Sequence, residues 1–472
     1  MNKEDLNLEG VFNKFKNFFL IGIGGAGMSA IATVLNGMGF TVSGSDLKQS
    51  RYTDLLNSEG IRVYIGHDKS NIRDAEAIIY SAAIAPSNIE LIAAKKKGLP
   101  IFSRGEALSW ILNSKKGIAV TGTHGKTTTT SMISLIFRGL ALDPTIIIGG
   151  ELNELGSNAR YGKGDYVIAE ACESDGTFLK YKPFVGVITN IEEDHMDYWK
   201  EFDKLKNSFY SFAGNVKTGG FVIINGDEID SGEVKKVTGN RVITFGIDCK
   251  KEIYAKNIKL SNYSSTYDLV INTSGNKFGC KAEFNVRLIV PGLFNIKNSL
   301  AALAVCYGLG LDLYQAVKIL QFFTGAKRRF EKRGEKKGAL IFDDYAHHPT
   351  EVGATLDAVI LEKRGRIITV FQPHRYTRLA NLHNRFNQCF NNTDILIITD
   401  VFGSDEQPIP GVNGKLLIDS LIEEGFEKRL IYIPKIIDVK DYLNDNIKKD
   451  DIVLIMGAGD VTRVTEDLLK NV

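Results

Sequence analysis

Charge of one sign is what this 472-residue chain most lacks. Its lysines and arginines nearly cancel its aspartates and glutamates, leaving a formal net charge of +2. Such a chain has no general attraction for a polyanion, so nucleic acid is not an expected partner and any phosphate recognition must be local. Cysteine is also scarce. The five cysteines, Cys172, Cys249, Cys280, Cys306 and Cys389, are scattered and odd in number. They give neither a disulfide framework nor a zinc spacing, and they suit a reducing cytoplasm. One uncharged stretch, Phe18 to Val42, follows Lys14 and Lys16 in the manner of a signal peptide or membrane span. Glycines at 22, 24, 25, 27, 37 and 39 interrupt it. A cytosolic strand–loop–helix is therefore expected there, without membrane insertion. There is no internal repeat and no low-complexity tract.

A chain of this length implies about three domains of ~100–200 residues. The pattern is α/β throughout. Residues 1–114 read as a Rossmann-like unit. Asn17 to Ile23 is a strand, Gly22-Ile-Gly-Gly-Ala-Gly27 a GxGxxG loop, and Met28 to Met38 a helix. A second strand, Thr41 to Ser45, ends at Asp46, and Ala77 to Ser81 reads as another. An acidic residue about 20 positions beyond the loop completes a dinucleotide-binding pattern, although the pattern does not say which diphosphate is bound. Residues 115–325 alternate β-branched runs with helical stretches, as in a parallel sheet covered by helices. The runs are Ile118 to Val120, Thr145 to Ile148, Tyr166 to Ile168, Val185 to Ile188 and Phe221 to Ile224. Residues 252–290 read as a small antiparallel insertion, and Asn298 to Gly310 as a helix. Residues 326–472 form another Rossmann-like α/β unit, with strands at Ala339 to Phe342, Ile367 to Phe371, Ile395 to Thr399 and Ile452 to Met456.

Chemistry concentrates at Gly122-Thr-His-Gly-Lys-Thr127, between the run Gly117 to Val120 and the helical stretch Thr128 to Leu140. In a strand–glycine loop–helix turn, backbone N–H groups turn inward around phosphate oxygens and the helix N-terminus adds positive partial charge. Lys126 would reach the terminal phosphates and the Thr127 hydroxyl would sit on Mg²⁺. The loop marks a consumer of ATP with a P-loop ATPase-like central domain, or is an ordinary strand–helix turn capped by threonine. It is compact: the usual early glycine position holds Val120.

Other polar clusters follow predicted strands, where ligands gather at the carboxyl ends of a parallel sheet. Glu170-Ala-Cys-Glu-Ser-Asp175 offers Glu173 as an oxygen ligand for Mg²⁺, or is a solvated acidic loop. Thr189 to His195 ends in an imidazole that would touch phosphate, or Mg²⁺ through water, or serve structure alone. Asn295 and Asn298 either read the adenine edge as paired amides or cap a helix. Asp343-Asp-Tyr-Ala-His-His-Pro349 and Phe371-Gln-Pro-His-Arg-Tyr-Thr-Arg378 are dense in polar groups. Arg375 and Arg378 have the spacing to clamp a carboxylate with planar donors. Gly457-Ala-Gly-Asp460 has no assigned role, nor does His124.

In their order along the chain, these elements resemble the motifs of the Mur ligases, ATP-dependent amide-forming ligases of peptidoglycan synthesis. The elements are Gly22–Gly27, Gly122–Thr127, Glu170–Asp175, Asn190–His195, Asn295–Asn298, Lys327–Phe330, Asp343–Thr350 and Phe371–Arg378. The resemblance implies that the first domain binds the uridine diphosphate of a sugar nucleotide, with Gly24, Gly25, Gly27 and Asp46 on the substrate side. It implies ATP binding by Gly122, Thr123, Gly125, Lys126, Thr127 and Thr128, with Asn295 and Asn298 facing adenine. Arg329 and Asp344 would approach the nucleotide from the third domain. Thr127, Glu173 and His195 would form the Mg²⁺ centre. Tyr345, His347, Arg375 and Arg378 would surround an incoming amino acid, with His347 as proton acceptor. The implied reaction joins L-alanine to the lactyl carboxylate of UDP-N-acetylmuramate through an acyl phosphate, in the cytoplasm, by a monomer or homodimer. A related ligase that adds a ready-made peptide, an NAD-dependent dehydrogenase, and a nucleotide-binding regulator are the rivals. Three positions depart from the family pattern: Phe294 where histidine is usual, Cys172 for aspartate and Ala346 for glycine.

Overall fold

A computed structural model describes residues 12, 14–152, 156–247, 250–261, 264–272, 282–404 and 406–470. Cys249 and Cys280 lie outside the described residues. Three sheets follow one another along the chain. The first is parallel, with strands β1 (Asn17–Ile21), β2 (Thr41–Asp46), β3 (Arg62–Ile65), β4 (Ala77–Tyr80) and β5 (Ile101–Ser103) in the order 3-2-1-4-5. The order reverses between β1 and β4. That is the point where a doubly wound sheet opens a crevice at its carboxyl edge. The uncharged stretch resolves into β1, the glycine loop, helix α1 (Ala26–Gly37) and the start of β2. Among the described residues no helix is long and apolar enough to cross a membrane.

The central sheet contains β6 (Lys116–Thr121), β7 (Thr145–Leu152), β8 (Ser157–Arg160), β9 (Tyr166–Glu170), β10 (Val185–Ile188), β11 (Phe221–Asn225) and β12 (Arg241–Gly246). It continues through β13 (Ile253–Ser261), β14 (Ser264–Ile271) and β15 (Ala282–Leu288), which pair antiparallel. The expected insertion is thus an extension of the sheet, joined by a parallel β12–β13 pairing. β6 lies between β10 and β9, so the loop after β6 opens at a reversal of strand order. Two helices flank this point, α2 (Lys126–Gly139) and α3 (Met196–Trp199). A third, α4 (Leu293–Gly308), starts five residues before the expected Asn298 because Gly292, at φ +96°, turns the chain into it.

The third sheet has the order β16-β17-β21-β18-β19-β20, with β16 (Glu331–Lys336), β17 (Ala339–Asp344), β18 (Ile367–Phe371), β19 (Ile395–Ile398), β20 (Arg429–Tyr432) and β21 (Ile452–Met456). Helices α5 (Pro349–Val359) and α6 (Tyr376–Leu382) follow β17 and β18. β16 was not expected from the sequence. It is a charged edge strand, a composition that deters further pairing but carries no apolar signal.

Buried side chains alternate between faces along each strand. In β21, Ile452, Leu454 and Met456 join one core while Val453 and Ile455 join the other. A continuous apolar cluster runs from Phe18 and Leu20 through Trp110 to Ala119 and Val167, fastening the first sheet to the central one.

Candidate active site

The loop after β6 is held in a conformation only glycine allows. Gly122 lies at φ +130° and Gly125 at φ +80°. A Cβ on Gly122 would stand 2.1 Å from Thr189 Oγ1, and one on Gly125 would stand 2.4 Å from Asn298 Oδ1. The segment after β10 staples the loop. Asn190 Oδ1 accepts from His124 N at 2.8 Å, Asn190 Nδ2 donates to His124 O at 3.0 Å, and Glu192 N donates to Thr123 Oγ1 at 2.8 Å. Lys126 opens α2 and curls back over the loop, donating to the Gly122 and Thr123 carbonyls and standing 3.0 Å from Glu173 Oε2. Burial lowers its pKa, but Glu173, Cys172 and Glu170 together outweigh burial and the net shift is upward. Thr127 lies beside Glu170, whose carboxylate accepts from Gly149 N at 2.9 Å; burial raises the Glu170 pKa.

Glu173 is 1% exposed, and its Oε2 makes no aligned hydrogen bond despite its closeness to Lys126. His195 Nε2 is 4.0 Å from Glu173 Oε1 and 3.6 Å from Asp194 Oδ2. Burial lowers the His195 pKa. Lys126, Glu173 and His195 therefore share one corner. From there the contacts cross to the third sheet, because Arg375 Nη1 lies 3.4 Å from His195 Nδ1.

The paired arginine clamp is not how the structure arranges Arg375 and Arg378. Arg378 is 7% exposed. It donates to both Asp194 oxygens, at 2.9 and 3.2 Å from Nη2, and its Nη1 donates to the His374 carbonyl at 3.3 Å. Burial raises the Asp194 pKa, but Arg378 together with His195, His347 and His348 reverses this and holds the carboxyl far below the usual range. Arg375 pairs with Asp197 at 2.9 Å and Glu406 at 2.7 Å. Three residues along a helical turn separate the two guanidinium groups onto different carboxylates. Arg378 is a strut between the second and third sheets, and only Arg375 faces a less buried space.

A cavity of about 480 Å³ lies between the central and third sheets. Gly125, Thr128, Asn295, Asn298, Arg329 and Asp344, far apart in sequence, all line it. Asn298 Oδ1 accepts from Thr129 Oγ1 at 3.2 Å and backs the glycine loop, while Asn295 Nδ2 donates to Pro291 O at 2.7 Å. Phe294 lines the same cavity and packs against the third domain's core, so an apolar ring stands at that departure from the family pattern. Asp344 is buried and accepts from Phe330 N and Ala346 N; burial pushes its pKa up to about 6.

His124, left without a role by sequence, lines this cavity too. Its Nδ1 is 3.0 Å from Glu351 Oε1 and its Nε2 is 3.6 Å from Glu192 Oε2. Burial alone would lower its pKa; the two carboxylates reverse this and raise it to about 9. The donor atoms of His124, Glu192 and His348 lie within 4.8 Å of one another, a spacing a metal ion could use. However, His348 Nε2 already lies 3.2 Å from Glu193 O, and its Nδ1 accepts from Thr350 N.

Tyr345 is flanked by the Arg328 and Arg329 guanidinium groups, each 5.1 Å from its ring. His347 Nδ1 is 2.9 Å from the Tyr345 carbonyl, and burial lowers the His347 pKa to about 4. The His374 ring stands 5.5 Å from it. In the first sheet, Asp46 Oδ2 accepts from Gly24 N at 2.9 Å, so this carboxylate fastens the glycine loop itself. A Cβ on Gly27 would meet Arg104 Nη1 at 2.9 Å, which puts an unforeseen cation over that loop. Sequence reading also missed Glu192, Asp194 and Glu351. The first two lay inside the quoted stretch Thr189 to His195, and density of carboxylates there was the available signal.

Models of three domains match in succession: "Mur ligase family, catalytic domain" over residues 18–116, "Mur ligase middle domain" over 120–306, and "Mur ligase, glutamate ligase domain" over 328–459. The chain belongs to the Mur ligase family. As a Mur ligase it is similar to the UDP-N-acetylmuramate–L-alanine ligase of Pelotomaculum thermopropionicum, 41% identical over 97% of this chain and 98% of that protein. The enzyme of the same name from Desulforamulus reducens is 42% identical, with 97% and 98% covered. Among solved structures, the UDP-N-acetylmuramate–alanine ligase of Thermotoga maritima shares this Mur ligase architecture. It gives a TM-score of 0.80 at 26% identity, covering 96% of this chain and 98% of that one.

Proposed function

We propose that this chain is an ATP-dependent amide-forming ligase that joins L-alanine to the lactyl carboxylate of UDP-N-acetylmuramate, a step of peptidoglycan precursor synthesis. One observation carries the reading: relatives named for that reaction match 97% of the chain at 41% and 42% identity. A cytoplasmic location accompanies it, as does a monomeric or homodimeric state.

A carboxylate is a poor acyl donor. Transfer of the ATP γ-phosphoryl group to one of its oxygens makes an acyl phosphate and releases ADP. The alanine amine then forms a C–N bond, the C–O bond to phosphate breaks, and the nitrogen loses a proton. Lys126 offsets charge on the transferring group, a matter of positioning and electrostatics. Thr127, Glu173 and His195 would hold a Mg²⁺ ion; the buried Glu173 Oε2, which faces Lys126 without an aligned hydrogen bond, is an oxygen of the kind Mg²⁺ takes. When bound, Mg²⁺ supplies further charge neutralisation. Asn295 and Asn298 are assigned to the adenine end, and Arg329 and Asp344 to the nucleotide from the third domain.

His347 is assigned as proton acceptor. Its Nδ1 is bonded to the Tyr345 carbonyl, which leaves Nε2 with the lone pair, and burial keeps the ring neutral. Arg375 is the candidate for the alanine carboxylate, exchanging Asp197 or Glu406 for it. Arg378 acts behind it through Asp194. Gly24, Gly25 and Gly27, with Arg104, are assigned to the diphosphate of the sugar nucleotide. The dehydrogenase alternative leaves the phosphate loop and its cavity unused. Phosphate release measured with UDP-N-acetylmuramate, ATP, Mg²⁺ and a panel of amino acids tests the proposal. Release is expected with L-alanine; release only with a tripeptide acceptor would transfer the chain to the peptide-adding reaction, and none with any acceptor would sink it.

A further inference from the structure

His124 sits in the middle of the phosphate loop, yet its side chain points away from the loop's own backbone. The backbone is already fixed by Asn190 and Thr189 of the same domain. The imidazole instead reaches across the domain boundary to Glu351 of α5, at 3.0 Å, and lies 4.7 Å from the His348 ring. Glu351 is itself a hub. Its Oε2 accepts from His347 N at 3.2 Å, and its Oε1 stands 3.8 Å from Arg329 Nη1. One carboxylate of the third domain thus gathers the phosphate-loop imidazole, the Arg329 guanidinium and the backbone before α5. His124, Arg329 and Glu351 all line the 480 Å³ cavity.

We propose that Glu351 is a positioning residue for nucleotide binding, which grips His124 when the third domain closes and so couples that closure to the shape of the phosphate loop. The inference rests on the ATP reading above and adds a partner to it. Two links make the coupling specific. The first is that the loop is rigid on its second-domain side, so the His124 ring is the part of it that the third domain can engage. The second is that the same carboxylate holds Arg329, so loop and guanidinium are brought to the nucleotide together. The ring lies between Glu351 and Glu192, at 3.0 and 3.6 Å, so the third domain's carboxylate and one of the central domain meet on it. Coupling of this kind follows from thermodynamic linkage: whatever favours the closed pair favours the nucleotide by the same factor.

The test is a double-variant cycle on the full chain, with ADP affinity measured by calorimetry in Mg²⁺ buffer. Glu351→Gln keeps the acceptor needed at the start of α5 and removes the charge. Glu351→Gln and His124→Gln are each expected to weaken ADP by about tenfold. The double variant is expected to be no weaker than His124→Gln alone, with KM for UDP-N-acetylmuramate within about twofold of the parent throughout, since that substrate is assigned to the first domain. ADP affinity unchanged in Glu351→Gln would overturn the proposal. So would multiplicative losses in the double variant, or an equal rise in KM for the sugar nucleotide, which would mark a merely structural role. If Glu351→Gln does not fold, His124→Gln alone decides by whether ADP weakens while the sugar nucleotide does not. A parent chain that binds ADP yet forms no amide would refute the assigned reaction and leave this cycle intact.

Discussion

Lys126 Nζ stands 3.0 Å from Glu173 Oε2, and the carboxylate beneath it is 1% exposed. Each group depends on the other for compensation, because a buried charge without its partner is costly. Lys126→Met is therefore expected to act twice. Ligation should fall by about 10²–10³-fold, as when one preorganised electrostatic contact to the transition state is removed. The folded chain should also lose about 3 kcal/mol, seen as a lower Tm, because Glu173 is left unpaired. Full ATP-dependent ligation in this variant would refute the phosphoryl-transfer role.

Gly125 and Asn298 are in closer contact than any side chain would allow. Gly125→Ala introduces a Cβ 2.4 Å from Asn298 Oδ1 at a residue held at φ +80°. The strain and the overlap together are expected to cost about 1–3 kcal/mol and to displace the loop from the nucleotide. Gly239→Ala is the control, since a Cβ there meets nothing within 4 Å. It should change stability by no more than about 0.5 kcal/mol. Equal behaviour of the two variants in chemical denaturation and ADP binding would show that the loop tolerates a side chain.

The glycine loop between β6 and α2 was legible because its pattern is local: glycines, a lysine and a threonine lie within six consecutive positions after an apolar run. The strand-end clusters were legible for the same reason. The partners of those residues were not. Arg378 looked free to clamp a substrate because sequence spacing does not reveal that Asp194, 184 positions away, already holds it. His124 had no role because Glu351 lies 227 positions along the chain. Strand β16 escaped notice because a charged edge strand lacks alternation. Pairing between domains is a property of how the sheets dock, which no local window contains.

Arg378 and Asp194 carry a testable consequence of that docking. Their side chains are 6% and 7% exposed, and they come from helix α6 and from the loop after β10. Removing one partner leaves a charge buried, at a cost of about 3–5 kcal/mol. Arg378→Lys keeps the charge but loses the planar fork that addresses both oxygens. It should rank between the parent chain and Arg378→Ala in Tm, and both variants should raise KM for L-alanine, because Arg375 one turn away loses its support. A neutral effect of Arg378→Ala on both measurements would show that the strut does not matter.

His124 links stability to pH in a direction opposite to most buried histidines. Its pKa is raised from 6.5 to about 9, with burial opposing the shift and Glu351 and Glu192 driving it. The folded state therefore holds a proton that the unfolded chain releases above pH 6.5. The stabilisation is complete below pH 6.5 and is lost as pH rises through about 9. The full window corresponds to about 3 kcal/mol. Denaturant titrations between pH 6 and 9.5 should show stability declining with pH in the parent chain, and a flatter profile in His124→Gln. His347 behaves inversely: its pKa is depressed to about 4, so its contribution is lost as pH falls from 6.5 toward 4. The two windows do not overlap, so the alkaline slope reports on His124 without interference from His347. An identical alkaline slope in parent and His124→Gln would refute a charged imidazole between the two carboxylates.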